Sequence, residues 1–323
     1  MSPEPYPVVE KPFGKALAVL GERFPELVVV DADLVRATDT AEFRSRFPSR
    51  HWNVGVAEAN MVGIATGLAL SGKTAFCGTF ACFASQRVCD QAVLAAYCHA
   101  PVVICGVEPA LTSGSNGATH QGMLDLAIMR AIPNMRVFEA ADATETSSMV
   151  EYTLLHPGTT YMRVPRAKAP VILDPDTYRF EAGRAVRLRD GADVTIIASG
   201  IMLARALQAA QALAAEGVGA RVVNMSSLKP IDEAEILSAA QETGCLVTAE
   251  NHNLIGGLGS AVAEVLASRA RVPLVRVGVQ DVFGEVGPID WLADKFGISS
   301  AHIARAAREA ISLKANKGRP VQA

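Results

Sequence analysis

Largely apolar runs alternate along this chain with stretches in which apolar residues recur every three or four positions. Leu27 to Val30, Ala75 to Phe80, Val102 to Val107, Met135 to Glu139 and Thr160 to Val164 are the runs of the first half. Short apolar runs of this kind predict strands covered on both faces, as in a parallel sheet. Ala57 to Leu70 and Gln86 to Cys98, between them, carry the helical repeat. Strands separated by helices predict an α/β fold with a mostly parallel sheet. Residues 166 to 192 break the rhythm with Pro170, Pro175, Gly183 and many charges. A linker is therefore expected at 169–190, between a first domain over 8–168 and a second over 191–315.

A second alternation follows. Val194 to Ala198, Arg221 to Met225, Cys245 to Thr248 and Leu274 to Val279 read as strands. Leu203, Ala206, Leu207, Ala210 and Leu213 mark one helix face, and Gly217 is placed to end that helix. Asp232 is placed to cap a helix starting near Glu233. The basic stretch after about Leu313 is expected to fray, leaving 316–323 as a tail.

Composition narrows the class. The chain has 323 residues, which suggests about two domains, and 50% of them are apolar. A net charge of −3 gives no electrostatic case for nucleic acid. Cys77, Cys82, Cys89, Cys98, Cys105 and Cys245 show no metal-ligand spacing, and five of them lie in apolar strand or helix patterns as small core residues would. Met1 to Pro5 has no secretory pattern, and no apolar run reaches the length of a membrane span. A reducing cytoplasm is the expected compartment.

The chemistry concentrates in Val54-Gly55-Val56-Ala57-Glu58-Ala59-Asn60-Met61, where one carboxylate sits among apolar residues. Met61, Ile64, Ala65 and Leu68 follow at helical spacing, so Glu58 is expected on the same apolar face. A carboxylate there needs a cation, a ligand or a proton, because burial without a partner is costly. A helix start also favours an acid through its dipole. Other motifs stand around it in order. Asp31-Ala32-Asp33-Leu34 precedes it; Gly78-Thr79-Phe80-x-x-Phe83 and Arg87-x-x-Asp90-Gln91 follow. Then come Gly117-Ala118-Thr119-His120-Gln121 and Tyr161-Met162-Arg163-Val164-Pro165-Arg166. Ser227-Leu228-Lys229-Pro230-Ile231-Asp232 and Glu250-Asn251-His252-Asn253-Leu254-Ile255-Gly256-Gly257-Leu258-Gly259 close the series.

This ordered set, over roughly residues 10 to 310, resembles the transketolase family, and in particular the C-terminal half of split, two-chain transketolases. The resemblance implies two doubly wound α/β domains: a thiamine-diphosphate pyrimidine-binding domain with a mostly parallel sheet, and a transketolase C-terminal-type domain. It implies transfer of a ketol or acyl unit from a ketose or keto-acid donor to an aldehyde acceptor. Glu58 and His120 would be the catalytic residues. Glu58 would hydrogen-bond the aminopyrimidine of thiamine diphosphate and favour the tautomer in which its amino group serves as base. Phe83 would stack on that ring, with Phe80 as a pocket wall, Gln86 and Arg87 as polar pocket groups and Asp33 near the thiazolium. His120, on a glycine-rich loop, would face the sugar donor. Arg166 would bind the acceptor's terminal phosphate through its forked donors. Arg163 is expected to pack structurally or reach the sheet edge. Read without the resemblance, Phe80 and Phe83 are core aromatics and Asp33 is a turn residue. Gly257-Leu258-Gly259 imitates a dinucleotide fingerprint, but its third glycine position is Val262, so a tight strand-to-helix turn is expected instead. Glu250 and His252, just before it, are expected at a subunit interface.

Two differences from the family shape the expectation. No Gly-Asp-Gly run followed by Asn-Asn, the family's Mg²⁺–diphosphate motif, occurs in this sequence. No metal ligand is therefore assigned. Mg²⁺ and the diphosphate are expected on a separate N-terminal-half subunit, in an α₂β₂ heterotetramer outside which this chain is inactive. Second, Ala37 beside Arg36 replaces a phosphate-binding serine, Glu108 stands for a histidine, and Asn116 stands for an aspartate. Arg36, Glu108 and Asn116 join His120 and Arg166 as the candidate substrate-binding residues. Their altered charge and hydrogen-bonding sense imply a specialised donor rather than the ordinary pentose-phosphate pair. The alternatives are a β-type subunit of a 2-oxoacid dehydrogenase and a non-catalytic regulatory or scaffold homologue.

Overall fold

A computed structural model describes residues 6–165 and 168–316. The first half holds strands β1 (Val8–Glu10), β2 (Leu27–Asp31), β3 (His51–Asn53), β4 (Thr74–Phe80), β5 (Val102–Val107), β6 (Arg136–Glu139), β7 (Thr160–Val164) and β8 (Lys168–Pro170). Helices α1 (Pro12–Arg23), α2 (Ala41–Arg46), α3 (Glu58–Leu70), α4 (Phe83–Gln86), α5 (Cys89–Tyr97), α6 (Asp125–Ala131) and α7 (Ala143–Leu155) lie between them. The second half holds β9 (Val186–Arg189), β10 (Val194–Ala198), β11 (Ala220–Asn224), β12 (Ser227–Lys229), β13 (Leu246–Asn253) and β14 (Leu274–Val279). Its helices are α8 (Met202–Ala215), α9 (Glu233–Glu242), α10 (Leu258–Arg269), α11 (Ile289–Lys295) and α12 (Ser300–Ala315).

The larger sheet runs β12-β6-β7-β5-β4-β2-β3 and the smaller β14-β13-β10-β11-β9. Each is parallel except for one edge strand, β12 against β6 and β9 against β11. Alternate residues of one strand feed opposite layers, as the period of a strand requires. Val28 and Val30 of β2 pack with α3, α5 and α6, while Leu27 and Val29 pack with α1, α2 and α7. Both faces are covered, which is why these strands read as unbroken apolar runs.

The two halves share one core: Ile197, Val223 and Leu246 belong to the same apolar cluster as Val28, Met61 and Ile104. The Ser227-Leu228-Lys229 motif stitches them further. Its strand β12 joins the first domain's sheet, and Lys229 Nζ donates to the carbonyls of Arg130 and Ile132 at 2.8 and 2.6 Å, at the end of α6. Asp232 caps α9, accepting from the Glu235 amide at 3.0 Å, and Gly217 takes a left-handed φ of 80° just past α8.

Several expectations need correction. Of the stretch 169–190 expected as a linker, Ala169 and Pro170 lie in β8, paired with β1, and Val186–Arg189 form β9 of the second sheet. Gln86 to Cys98 is not one helix but α4 and α5, with Arg87 and Val88 at the break. On α3 the buried stripe is Glu58, Met61, Val62, Ala65 and Ala69, and Ile64 is exposed on the far side. Cys98 is exposed at the end of α5. The C-terminal helix α12 continues to Ala315, past the expected fraying point, and the tail from 317 lies outside the described residues. Among the described residues no helix is long and apolar enough to cross a membrane.

Candidate active site

Strands β2, β4, β5 and β7 end at Asp31, Phe80, Val107 and Val164, and the segments leaving these ends carry most of the expected site residues. The carboxyl edge of a parallel sheet is where α/β proteins form their crevice. Glu58 opens α3 there. The residue is only 5% exposed, and Arg87 Nη1 donates to its Oε1 at 3.1 Å and to its Oε2 at 3.4 Å. The same guanidinium lies over the Phe83 ring, 4.1 Å from its centroid. Phe83 meets His120 edge to face at 5.1 Å, and Phe80 meets both Phe83 at 6.1 Å and His120 at 5.2 Å. Glu58, Arg87, Phe83, Phe80 and His120 thus form one contiguous group, although the sequence sets its ends far apart. The carboxylate has found its cation. It still has acceptor capacity, since among the described residues only these two long side-chain bonds reach it. A buried carboxylate with spare lone pairs beside an aromatic wall fits the aminopyrimidine end of thiamine diphosphate.

The loop after β5 supplies the polar rim. Asn116 Nδ2 donates to Glu108 Oε2 at 3.2 Å and to Ser113 Oγ at 3.0 Å. Its amide nitrogen is thereby occupied, and among the described residues its carbonyl oxygen has acceptor capacity left. His120 sits on a short 3₁₀ turn, Ala118–His120, with Nδ1 at 3.0 Å from Thr119 Oγ1, which leaves Nε2 for a substrate. Gln86 is exposed and borders a cleft of roughly 240 Å³ shared with Thr119, Gln121, Asp281 and Phe283. Asp33 is an exposed turn residue with φ 65°, joined to Asn53 by two hydrogen bonds of 3.0 Å. Asn53 also accepts from the Gly55 amide at 2.9 Å, so this pair shapes the turn that leads into Glu58. Arg36 is exposed. Arg166 lies outside the described residues.

Beneath the rim lies a charged core that the sequence left almost unread. Arg163 is fully buried; Nε and Nη2 grip Asp125 at 2.6 and 2.5 Å, and Nη1 donates to Glu139 at 2.8 Å and to the Asn251 carbonyl at 3.0 Å. Tyr161 donates to Asp125 at 2.5 Å, and Ser199 of the second domain donates to Glu139 at 2.5 Å. Burial pushes the Asp125 carboxyl up, but the charge and hydrogen bonds of Arg163 outweigh it and hold it below the usual range.

Glu250 and His252 are also fully buried within this chain, not at a subunit interface as expected. Glu250 accepts from the amides of Leu258 and Gly259 at 2.7 and 2.9 Å and so caps α10. A Cβ at Gly257 would stand 1.9 Å from its carboxylate, which gives the Gly-Leu-Gly turn its reason. Burial pushes the Glu250 carboxyl up to about 7. Burial, followed by the charge of Arg163, pushes His252 down to about 4. The signal for this layer was the polar run Glu250 to Asn253 in continuation of an apolar strand.

Comparison with known proteins places both halves of the chain in one family. The pyrimidine-binding domain of transketolase matches residues 7–171, and the transketolase C-terminal domain matches residues 183–303. The chain is 48% identical over 289 residues to a 6-deoxy-6-sulfo-D-fructose transketolase subunit of Clostridium sp. (strain MSTE9), covering 89% of each chain. It is 38% identical to an apulose-4-phosphate transketolase subunit of Phocaeicola vulgatus (strain ATCC 8482), covering 84% of this chain and 87% of that one. A solved split-gene transketolase, an inactive β₄ tetramer, superposes with a TM-score of 0.88 at 45% identity, covering 94% of this chain and 98% of the other.

Proposed function

This chain belongs to the transketolase family, and from that premise we propose that it is the C-terminal-half subunit of a split, thiamine-diphosphate-dependent transketolase. It gives the catalytic glutamate and the sugar-facing residues to a site that a separate N-terminal-half subunit completes with the diphosphate and Mg²⁺ ligands. The observation that carries this reading is the contiguous group of Glu58, Arg87, Phe83, Phe80 and His120 at the carboxyl edge of the first sheet.

Thiamine diphosphate supplies the nucleophilic carbon and the electron sink of ketol transfer. Glu58 would accept a hydrogen bond from the pyrimidine ring of the bound cofactor and hold the proton there at its carboxylate. Phe83 and Phe80 give that ring an apolar face and keep water from it. His120, with Nδ1 engaged by Thr119, turns Nε2 toward the donor's hydroxyls and can hydrogen-bond or relay a proton there. Asn116, its amide held by Glu108, offers an acceptor to the same sugar. Asp33 and Gln86 border the cofactor's approach, and Arg36 and Arg166 serve the anionic end of the substrate.

Assembly is the second part of the proposal. Val56, Ile64 and Leu70 on and before α3, and Val93, Leu94 and Tyr97 on α5, expose apolar side chains on neighbouring helices. Apolar clusters of this kind mark protein contacts. This face suits an α₂β₂ complex in the cytoplasm, and a chain that forms an inactive tetramer, as the split-gene relative does, suits an incomplete site. We place the donor outside the pentose-phosphate pair because Arg36, Glu108 and Asn116 alter the charges around it. The sulfosugar named for the Clostridium relative is the first donor to test.

The test is a ketol-transfer assay of the co-purified two-subunit complex with thiamine diphosphate and Mg²⁺. Donors are 6-deoxy-6-sulfo-D-fructose, xylulose 5-phosphate and 2-oxoacids. Turnover of a modified ketose, abolished by Glu58→Gln, is expected. Decarboxylation of a branched 2-oxoacid with transfer to lipoamide, or activity indifferent to Glu58, would overturn the reading.

A further inference from the structure

The loop from Glu108 to Met123 carries Glu108, Asn116 and His120, and it begins in an unfavourable conformation. Glu108 and Ala110 have φ of 49° and 47°. This left-handed region disfavours residues with a Cβ, and it persists only where surroundings hold it. Asn251, on β13 of the second domain, supplies the hold. Its Nδ2 donates to the Pro109 carbonyl at 2.9 Å, and its Oδ1 accepts from the Leu111 amide at 3.2 Å. The side chain thus brackets Ala110 as a neighbouring strand would, 140 residues away in sequence. Asn251 is fully buried, and its own carbonyl is fixed by Arg163 at 3.0 Å. Further along, the Gly287 amide donates to the Gly114 carbonyl at 3.1 Å. Gln121 Nε2 donates to the Glu285 carbonyl at 2.9 Å.

We propose that Asn251 is a positioning residue: the second domain clamps the strained start of this loop through its side-chain amide, and so sets where Glu108, Asn116 and His120 meet the donor. The proposal rests on the functional reading above for its kinetic consequence, but the clamp itself is a property of this chain. The second domain acts on this loop through Asn251 of β13. Its contribution is the geometry of the donor loop. Misplacement of a positioned group by about 1 Å can lower turnover by about 100-fold.

The experiment pairs two readouts on Asn251→Ala. Hydrogen exchange on the chain reports the amides of 110–121. Steady-state kinetics of the two-subunit complex report donor KM, donor kcat and cofactor affinity. We expect faster exchange confined to the loop, a donor kcat/KM lowered about 10- to 100-fold, and thiamine diphosphate affinity within about twofold. Adding Ala110→Gly, which removes the Cβ penalty, recovers part of the loss, as no general packing defect would. Gln121→Met, at the loop's other end, keeps the measurement available if Asn251→Ala does not fold, and moves both readouts in the same direction by less. Unchanged loop exchange overturns the clamp. Faster exchange with unchanged donor kinetics, or a loss that Ala110→Gly leaves untouched, overturns the positioning role. A wild-type complex inactive toward every donor overturns the functional reading instead, while the exchange result still decides the clamp.

Discussion

Arg87 donates to both oxygens of Glu58, at 3.1 and 3.4 Å, while its guanidinium rests 4.1 Å above the Phe83 ring. The two charges are unequal in setting: the arginine side chain is 53% exposed and the glutamate side chain 6%. In the proposed function the buried partner is the one that carries the chemistry, and the exposed one accompanies it. Glu58→Gln keeps the shape and removes the charge, and kcat of the assembled enzyme should fall at least about 100-fold. Arg87→Gln should lower it by about tenfold or less, because water can replace a half-exposed cation. Steady-state kinetics of both variants, with thermal unfolding to verify folding, check this. Equal losses from the two would contradict the assignment.

Glu108 and Asn116 form a coupled pair at the donor rim, 3.2 Å apart. Asn116→Asp sets two carboxylates against one another, and like charges at that range disfavour joint ionisation. Donor kcat/KM should fall by about tenfold or more. Glu108→Gln combined with Asn116→Asp returns the pair to one charge and should recover most of the loss. A double variant no better than Asn116→Asp alone would show that the two residues act independently.

Arg163 is the only cation that the structure sets against both Asp125 and Glu139 among the described residues. Arg163→Met leaves two buried carboxylates without it, which should cost about 3–5 kcal/mol of stability. Arg23→Met removes the exposed pair with Glu151, at 2.7 Å, and should cost less than about 1 kcal/mol. Denaturant unfolding of both variants separates burial from bond length as the source of the effect. Similar costs would contradict it.

Glu250 ties stability to pH. In the folded chain it holds its proton up to about 7, against 4.5 ordinarily. The folded state therefore binds more protons than the unfolded state between those values, and its contribution to stability falls as pH rises through them. At about 1.4 kcal/mol per pH unit the fall is about 3 kcal/mol. His252, held down to about 4, acts in the opposite sense: its contribution is present above 6.5 and is lost as pH drops toward 4. The stability of the wild type relative to Glu250→Gln should thus decrease from pH 5 to pH 8. A difference flat across that range would contradict the assignment.

The pattern of apolar residues placed β5, β7, β10 and β14 to the residue, because strands buried on both faces carry their signal locally. It ended the strand at Leu246–Asn253 too early, since Glu250 to Asn253 are polar yet buried, satisfied by partners that local pattern cannot see. It missed β9 and β12, short antiparallel edges whose pairing is decided by the sheet they join. The family likeness singled out Glu58, Phe83 and His120, and the fold joins them through Arg87 and ring contacts that the motifs do not announce. The role of Asn251 was out of reach, because its partners Pro109 and Leu111 lie in another domain and in a backbone conformation that sequence does not announce.

The central claim is that this chain holds one half of a thiamine diphosphate site. Calorimetric titration of thiamine diphosphate with Mg²⁺ tests it most directly, on the chain alone and on its complex with an N-terminal-half partner that carries the Gly-Asp-Gly…Asn-Asn motif. Tight binding by the complex, absent from the chain alone and weakened by Phe83→Ala, is the predicted result. Tight binding by the chain alone, or none by the complex, would contradict the account.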